Sequence, residues 1–136
     1  MSGLGDLERL VNLTETELRR FYVGACTERF SDVRLFIRNV GVIEVDGRVF
    51  KSGVEGQADV WGYLYRKPYP MPLEIELKNV RTPERNAQKL WEAYCVANRI
   101  SFLKLRAKKT ETPAGVIDRW VNETATWIDT LRRLAT

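Results

Sequence analysis

The chain has 136 residues, of which 44% are hydrophobic and 29% charged, values typical of one soluble globular domain. It contains no histidine, which excludes Ser-His-Asp and Cys-His hydrolases, histidine-dependent nucleases and His-ligated zinc sites. The formal net charge of +4 permits binding to nucleic acid without requiring it. Acid–base chemistry must therefore rely on carboxylates, lysine, tyrosine or a water activated by a metal ion.

We expect a single domain over residues 1–136 in the cytoplasm, or in the host cytoplasm if the protein is viral. No apolar run approaches the length needed to span a bilayer, and the first residues lack the basic and apolar blocks of a signal peptide. Cys26 and Cys95 fall in helical segments without CxxC spacing. They are therefore predicted to be buried free thiols in a reducing compartment.

In the first half of the chain, turn and capping signals separate one helix from a series of strands. Residues 1–13 are predicted to be an arm or a short helix. Thr14 followed by Glu17 is a capping-box pattern, which predicts a helix over residues 15–30. Asp46-Gly47 predicts a two-residue hairpin turn. The predicted strands cover residues 33–38, 42–45, 48–50, 57–65 and 72–78.

The second half of the chain predicts two helices on either side of one strand. Thr82-Pro83-Glu84 resembles a helix start, with a core stripe of Ala87, Leu90, Trp91 and Tyr94 continuing to about Asn98. A strand over residues 100–106 follows. Pro113 begins a last helix whose stripe is Val116, Trp120, Trp127, Ile128 and Leu131. We therefore predict an α/β domain with a helix, three or four strands in hairpins, and then α-β-α.

Three ionisable residues are predicted to meet on two neighbouring strands. Residues two apart in a strand face the same way, so Glu76 and Lys78 share a face while Leu77 points to the core. If the preceding strand pairs with this one, Asp59 stands beside them. Two carboxylates and an ammonium group at a sheet end form a site for a divalent cation and an activated water.

These residues and their spacing resemble a known nuclease family. Gly56-x-x-Asp59, then Glu76-x-Lys78, then Gln88 with Trp91 one turn later look like the PD-(D/E)XK nuclease core, and more narrowly like the virus-type replication-repair nuclease (VRR-NUC) domain. The upstream segment 35–41 resembles an Arg-Asn-containing segment of that family. The resemblance covers about residues 14–107. This chain departs from it at Asn98-Arg99, where the family often has a glycine, and its last helix has no assignable family role.

The resemblance implies a restriction-endonuclease-like mixed sheet flanked by helices in the order α-β-β-β-α-β-α, and it implies roles for the site residues. Asp59 and Glu76 would be metal ligands, with the Leu77 carbonyl a third oxygen for Mg²⁺ or Mn²⁺. Lys78 would position or help deprotonate the attacking water. Gln88 would orient the lysine or the water; the alternative is an exposed helix amide.

The family also has an acid on its first helix that reaches the metal site. Glu15 and Glu17 compete for that role, and Glu15 is favoured because Leu18 and Tyr22 follow it in the family's helix phase. Glu17 would then serve the capping box. Glu74 is interpreted as a peripheral surface acid or an electrostatic neighbour rather than a ligand.

Contacts to DNA are predicted with competing structural interpretations. Arg38 and Asn39 either hold a phosphate or brace the site, and Trp61 either stacks on a base or packs. The helical tryptophans are predicted to lie in the core, or on a dimer surface if the last helix is exposed. The remaining candidates for phosphate contacts are Arg81, Arg85, Lys89, Lys104, Lys108 and Lys109.

The resemblance thus implies a metal-dependent, structure-selective endodeoxyribonuclease that hydrolyses phosphodiester bonds. Its expected substrates are branched DNA, Holliday junctions included, and the expected assembly is a homodimer. Alternatives are a flap or duplex nuclease, and a non-catalytic DNA-binding or assembly module on a nuclease-like fold. A further alternative is a small-molecule α/β protein in which the acid pair is a surface accident.

Overall fold

A computed structural model describes residues 14–38, 42–51, 53–80 and 82–134. The predictions for residues 1–13, Asn39 and Arg81 lie outside these ranges. The described part of the chain contains three helices and six strands. In chain order they are α1 (Glu15–Arg29), β1 (Val33–Ile37), β2 (Val42–Val45), β3 (Arg48–Lys51), β4 (Val60–Leu64), β5 (Met71–Lys78), α2 (Asn86–Ala97), β6 (Ser101–Arg106) and α3 (Pro113–Leu134).

Four of the strands form one mixed sheet in the order β1-β4-β5-β6. β4 pairs antiparallel with both β1 and β5, whereas β6 pairs parallel with β5 after the crossover through α2. All five strands predicted between α1 and α2 are present, one more than the upper count in the predicted overall order. One pair, β2 and β3, lies outside this sheet and forms a separate hairpin across the predicted Asp46-Gly47 turn. Both turn residues have positive φ, 51° and 76°, as a tight two-residue hairpin turn requires.

One face of the sheet carries the hydrophobic core, under α1 and α3. Val60, Ile75 and Ile128 are fully buried there. The Tyr22 hydroxyl and Thr124 Oγ1 lie 2.7 Å apart and join the two helices by a buried hydrogen bond. The last helix is therefore a core element, with Trp120 buried beside Tyr22. Cys26 and Cys95 are buried free thiols, as predicted.

The second helix differs from its prediction in both its start and its face. It begins at Asn86 with Arg85 as N-cap, because the extended segment before it uses its carbonyls to bind other elements: Pro83 O accepts from Lys78 and Thr82 O from Arg106. The predicted core stripe is only half right: Leu90 is 71% and Tyr94 52% exposed, whereas Ala87 and Trp91 are half-buried. The face toward the sheet carries Gln88 and Trp91, which bind acids of β5.

Among the helices in the described ranges, none is long and apolar enough to cross a membrane.

Candidate active site

The pairing of β4 with β5 brings the predicted acids together. Val60 lies opposite Ile75, so Asp59, one residue earlier, stands beside Glu76, one residue later. The Leu77 amide donates to Asp59 Oδ2 at 3.0 Å. This bond fixes the Asp59 carboxylate at the end of β5. The spacing of the Gly-x-x-Asp and Glu-x-Lys motifs thus places both carboxylates at one corner of the sheet.

Gln88 connects the lysine of the site to its buried acid. Lys78 is fully buried, and its ammonium group donates to Gln88 Oε1 at 2.5 Å and to Pro83 O at 3.3 Å. The Gln88 amide nitrogen donates to Glu76 Oε1 at 3.3 Å. Because the amide oxygen accepts from the lysine, its NH₂ group must face the acid. Gln88 is half-buried and serves this network, so it is not the exposed helix amide of the alternative interpretation.

Burial and charge repulsion raise the pKa of Glu76 to about 8 from its ordinary 4.5. Removal from water is the largest cause, followed by the charge of Asp59 and the hydrogen bond between the two acids. Lys78 and Arg19 act in the opposite direction. Near neutral pH the Asp59–Glu76 pair therefore holds a proton in place of a second negative charge. A divalent cation at this point would relieve the same repulsion.

Arg19 of α1 completes the charge balance, although it was not among the residues predicted for the site. Its Nη2 lies 2.9 Å from Asp59 Oδ1 and 3.7 Å from Glu15. Thr82 Oγ1 donates to Glu15 Oε1 at 3.1 Å. Glu15 thus faces the site through Arg19 and Thr82, while Glu17 forms the predicted capping box with Thr14. The i, i+4 spacing of Glu15 and Arg19 was the signal that could have revealed the arginine.

The oxygen atoms that meet here fit a hard divalent cation that keeps much of its water. Among the described residues, no group of three or more His, Cys, Asp or Glu side chains could hold a metal ion. The site instead offers the Asp59 and Glu76 carboxylates and the Leu77 carbonyl, which points to the same strand edge as the Leu77 amide. Two carboxylates with water in the remaining positions are typical of Mg²⁺ rather than of a Ca²⁺ cage. Arg19 would have to leave Asp59 Oδ1 when an ion binds.

Glu74 is a buried structural acid, not the peripheral surface acid of the prediction. Its exposed fraction is only 5%, and Arg38 binds its two oxygens at 2.6 and 2.9 Å. The Trp91 indole donates to Glu74 Oε1 at 2.8 Å. Arg38 also donates to Ala58 O at 3.0 Å. Arg38 thus braces the loop that carries Asp59, which corresponds to the structural alternative for this residue.

Replacing Arg38 with Met should lower the free energy of unfolding by about 2 kcal/mol, because Glu74 would remain buried without its cation. Chemical denaturation of the wild type, Arg38→Met and the double variant Arg38→Met/Glu74→Gln measures this. The double variant should regain much of the loss, since the neutral amide needs no counter-ion. Equal stability of the wild type and the single variant would contradict the bracing role.

A cleft of about 320 Å³ lies beside the carboxylates. Arg19, Asp59, Arg85 and Gln88 are among the residues that line it. Of the predicted phosphate contacts, Arg85 therefore lies at the cleft. Lys104 lies elsewhere and is held between Glu84 and Glu92. Three further candidates are exposed and do not line the cleft: Lys89, Lys108 and Lys109.

Gly56 allows the loop before Asp59 to touch the start of α2. Its φ is +85°, and a Cβ at this position would lie 2.2 Å from Ala87 O. We expect Gly56→Ala to lower stability by about 2 kcal/mol, since the strained φ and the overlap with backbone act together. Gly24→Ala, on α1 with nothing within 4 Å of its added Cβ, is the matched control and should be neutral or stabilising. Thermal unfolding of both variants checks this; similar melting temperatures would contradict it.

Comparison with known proteins does not assign the chain to a family. A scan against protein-family models matches none of them, and a search of curated proteins finds no match.

Proposed function

We propose that this protein is a metal-dependent endodeoxyribonuclease that hydrolyses DNA phosphodiester bonds. The observation that carries the proposal is the convergence of Asp59, Glu76, Lys78 and Gln88 at one corner of the sheet. These residues belong to three separate motifs spread over 30 positions of the sequence. Burial of a lysine and an acid costs free energy that hydrogen bonds offset only in part, and buried ionisable groups of this kind are concentrated at functional sites.

The fold supports an assignment to the PD-(D/E)XK nucleases, and within them to a VRR-NUC-like domain. With the β2–β3 hairpin taken as an insertion, the helices and the main-sheet strands follow one another as α-β-β-β-α-β-α. The acids lie at the ends of two adjacent strands of that sheet, and the glutamine lies on the helix that follows them. The proposed family rests on this order and on the motif residues together.

Each site residue then has a definable part in hydrolysis. Asp59, Glu76 and the Leu77 carbonyl would hold a Mg²⁺ or Mn²⁺ ion, which would supply Lewis-acid polarisation and a lower pKa for a coordinated water. Lys78 orients the attacking water and offsets negative charge that develops on the phosphate. Gln88 fixes the positions of the Lys78 ammonium group and the Glu76 carboxylate relative to each other. Arg19 and Arg85 line the cleft, where they bind the phosphates of the substrate strand.

One observation favours a second candidate, a non-catalytic DNA-binding or assembly module. The Arg19–Asp59 ion pair occupies an oxygen that a metal ion would need. If Arg19 holds Asp59 permanently, the basic cleft binds a DNA backbone without cutting it. The two candidates differ in one measurable property, which is cleavage in the presence of a divalent ion.

Cleavage of end-labelled duplex, flap and four-way-junction DNA, with Mg²⁺, with Mn²⁺ and with EDTA, tests the proposal. We expect cutting with either metal and none in EDTA. A preference for branched substrates would agree with structure selectivity, and a homodimer in sedimentation velocity would provide two sites for paired cuts across a junction. Binding of DNA without any cutting under all three conditions would leave only the non-catalytic module.

A further inference from the structure

Two large aromatic side chains lie exposed beside the proposed catalytic corner. Phe36 of β1 and Trp61 of β4 are cross-strand neighbours with ring centroids 4.9 Å apart. Their exposed fractions are 43% and 40%. Single exposed aromatic residues need no explanation, whereas a packed pair that stays open to solvent points to a ligand.

The residues around this pair extend it into a basic and aromatic surface. Arg34 and Tyr63 are the next cross-strand pair on the same face. Arg34 is exposed and donates to the Ser31 and Val33 carbonyls. Within the described ranges no carboxylate lies at ion-pair distance from it. Its positive charge is therefore available to a phosphate.

This surface is continuous with the carboxylate site. Asp59 immediately precedes β4 and Trp61 is the second residue of that strand, so the two lie about 7 Å apart along the chain. Trp61 is also paired with Glu74, which lies on the same face of β5 as Glu76. Phe36 is likewise two residues from Arg38, whose amide donates to Asp59 O at 2.8 Å. A DNA strand with its phosphate at Asp59 and Glu76 thus has a neighbouring nucleotide over the aromatic pair.

We propose that Phe36 and Trp61 form a stacking platform for unpaired bases next to the cut phosphate. The platform therefore selects DNA with a single-stranded segment at the site over continuous duplex. Bases inside a duplex are already stacked and paired, so only an unpaired or splayed base can lie on these rings. The proposal rests on the proposed nuclease function for the position of the phosphate. It favours flaps and tailed ends over fully paired four-way junctions.

Fluorescence anisotropy in EDTA tests the platform without catalysis. The probes are a labelled blunt duplex and the same duplex extended by a single-stranded tail on either strand. We expect Trp61→Ala and Phe36→Ala each to weaken binding of a tailed duplex by about 5- to 100-fold, the range for loss of one base–aromatic stack. Binding of the blunt duplex should change less than about twofold, since its bases do not reach the rings.

Two variants distinguish stacking from a general effect on the fold. Trp61→Phe keeps an aromatic face and should retain most of the affinity for the tailed duplex. Tyr69→Ala removes an aromatic residue that is 75% exposed in the turn between β4 and β5, and it should bind both probes as the wild type does. Circular dichroism of each variant confirms that the fold is retained.

The outcomes separate this proposal from the nuclease proposal. Equal loss of affinity for blunt and tailed probes in Trp61→Ala would overturn the platform, as would no loss for either. Unchanged DNA binding with an altered sedimentation coefficient would assign the surface to a protein partner and overturn it too. A selective loss for tailed DNA supports the platform whether or not the wild type cuts DNA with Mg²⁺, because binding in EDTA does not depend on cleavage.

Discussion

Asp59→Asn and Lys78→Met should each lower the rate of Mg²⁺-dependent DNA cleavage by at least about a thousandfold. Asp59→Asn keeps the size of the side chain and its bond from the Leu77 amide, but it removes the charge that attracts the metal ion. Lys78→Met fills the same buried space without the ammonium group. Single-turnover cleavage of a labelled flap, at saturating enzyme, measures the chemical step directly.

Variants of residues that lie outside the proposed catalytic set serve as controls for this prediction. Glu28→Gln changes an exposed acid on α1 and should leave cleavage unchanged. Glu15→Gln should lower the cleavage rate by about tenfold or less, because Glu15 contacts the site through Arg19 and Thr82. If Lys78→Met cleaves as fast as the wild type while Asp59→Asn does not, the lysine has a structural role only. If both cut normally, the site is not at this corner of the sheet.

Gln88→Ala should lower the same rate by about 10- to 100-fold, less than the loss of a ligand or of the lysine. The amide does not touch the phosphate but fixes the Lys78 ammonium group and Glu76 relative to each other. A positioning role predicts that Gln88→Glu, which offers oxygen to Lys78 but no NH₂ group to Glu76, is also impaired. Wild-type rates in both variants would contradict the role.

Local patterns in the sequence were sufficient to predict the structure wherever the interacting residues are close along the chain. The capping box of Thr14 and Glu17, the Asp46-Gly47 turn and the bounds of β5 were each predicted within a residue or two of their observed positions. The corner of Asp59 and Glu76 followed from one added assumption, that adjacent strands pair as a hairpin. Each of these features depends on bonds between residues that are close in sequence or that lie on strands adjacent in the chain.

Sequence reasoning failed where the partner is distant or where a helix can turn either face to the sheet. Glu74 was interpreted as a surface acid or an electrostatic neighbour, but it is buried, and its charge is satisfied by Arg38, 36 residues away, and by the Trp91 indole. The periodicity of α2 shows an apolar stripe but does not indicate which face of the helix packs against the sheet. Polar bonds from Gln88 and Trp91 to the acids of β5 set the rotation of this helix, which leaves Leu90 and Tyr94 in solvent.

The stability of the metal-free protein should depend on pH through Glu76. The pKa of this acid is about 8 in the folded state, against 4.5 ordinarily, so the folded state holds a proton that the unfolded chain releases. The contribution of Glu76 to stability is therefore greatest below pH 4.5, falls as the pH rises toward 8, and is constant above that value. The slope in this window is at most about 1.4 kcal/mol per pH unit.

Glu76→Gln should consequently raise the free energy of unfolding in EDTA by about 3 kcal/mol above pH 8 and change it little below pH 4.5. This gain is smaller than the full pKa shift of Glu76 would give, because water in the cleft that Asp59 lines screens the repulsion between the two acids. Denaturant titrations of both proteins across this pH range measure the difference. Glu28→Gln, on an exposed part of α1, should follow the wild-type curve, and a Glu76→Gln curve parallel to that of the wild type would contradict the prediction.

The same variant connects stability to the proposed metal site. Mg²⁺ should raise the melting temperature of the wild type near pH 8, since an ion that binds only the folded state stabilises it by mass action. Glu76→Gln gains its stability without the ion and loses a ligand, so its melting temperature should respond much less to Mg²⁺. An equal response in both proteins would place the ion elsewhere. A response confined to the wild type would show that the charge repulsion which weakens the free protein is the interaction that attracts the metal.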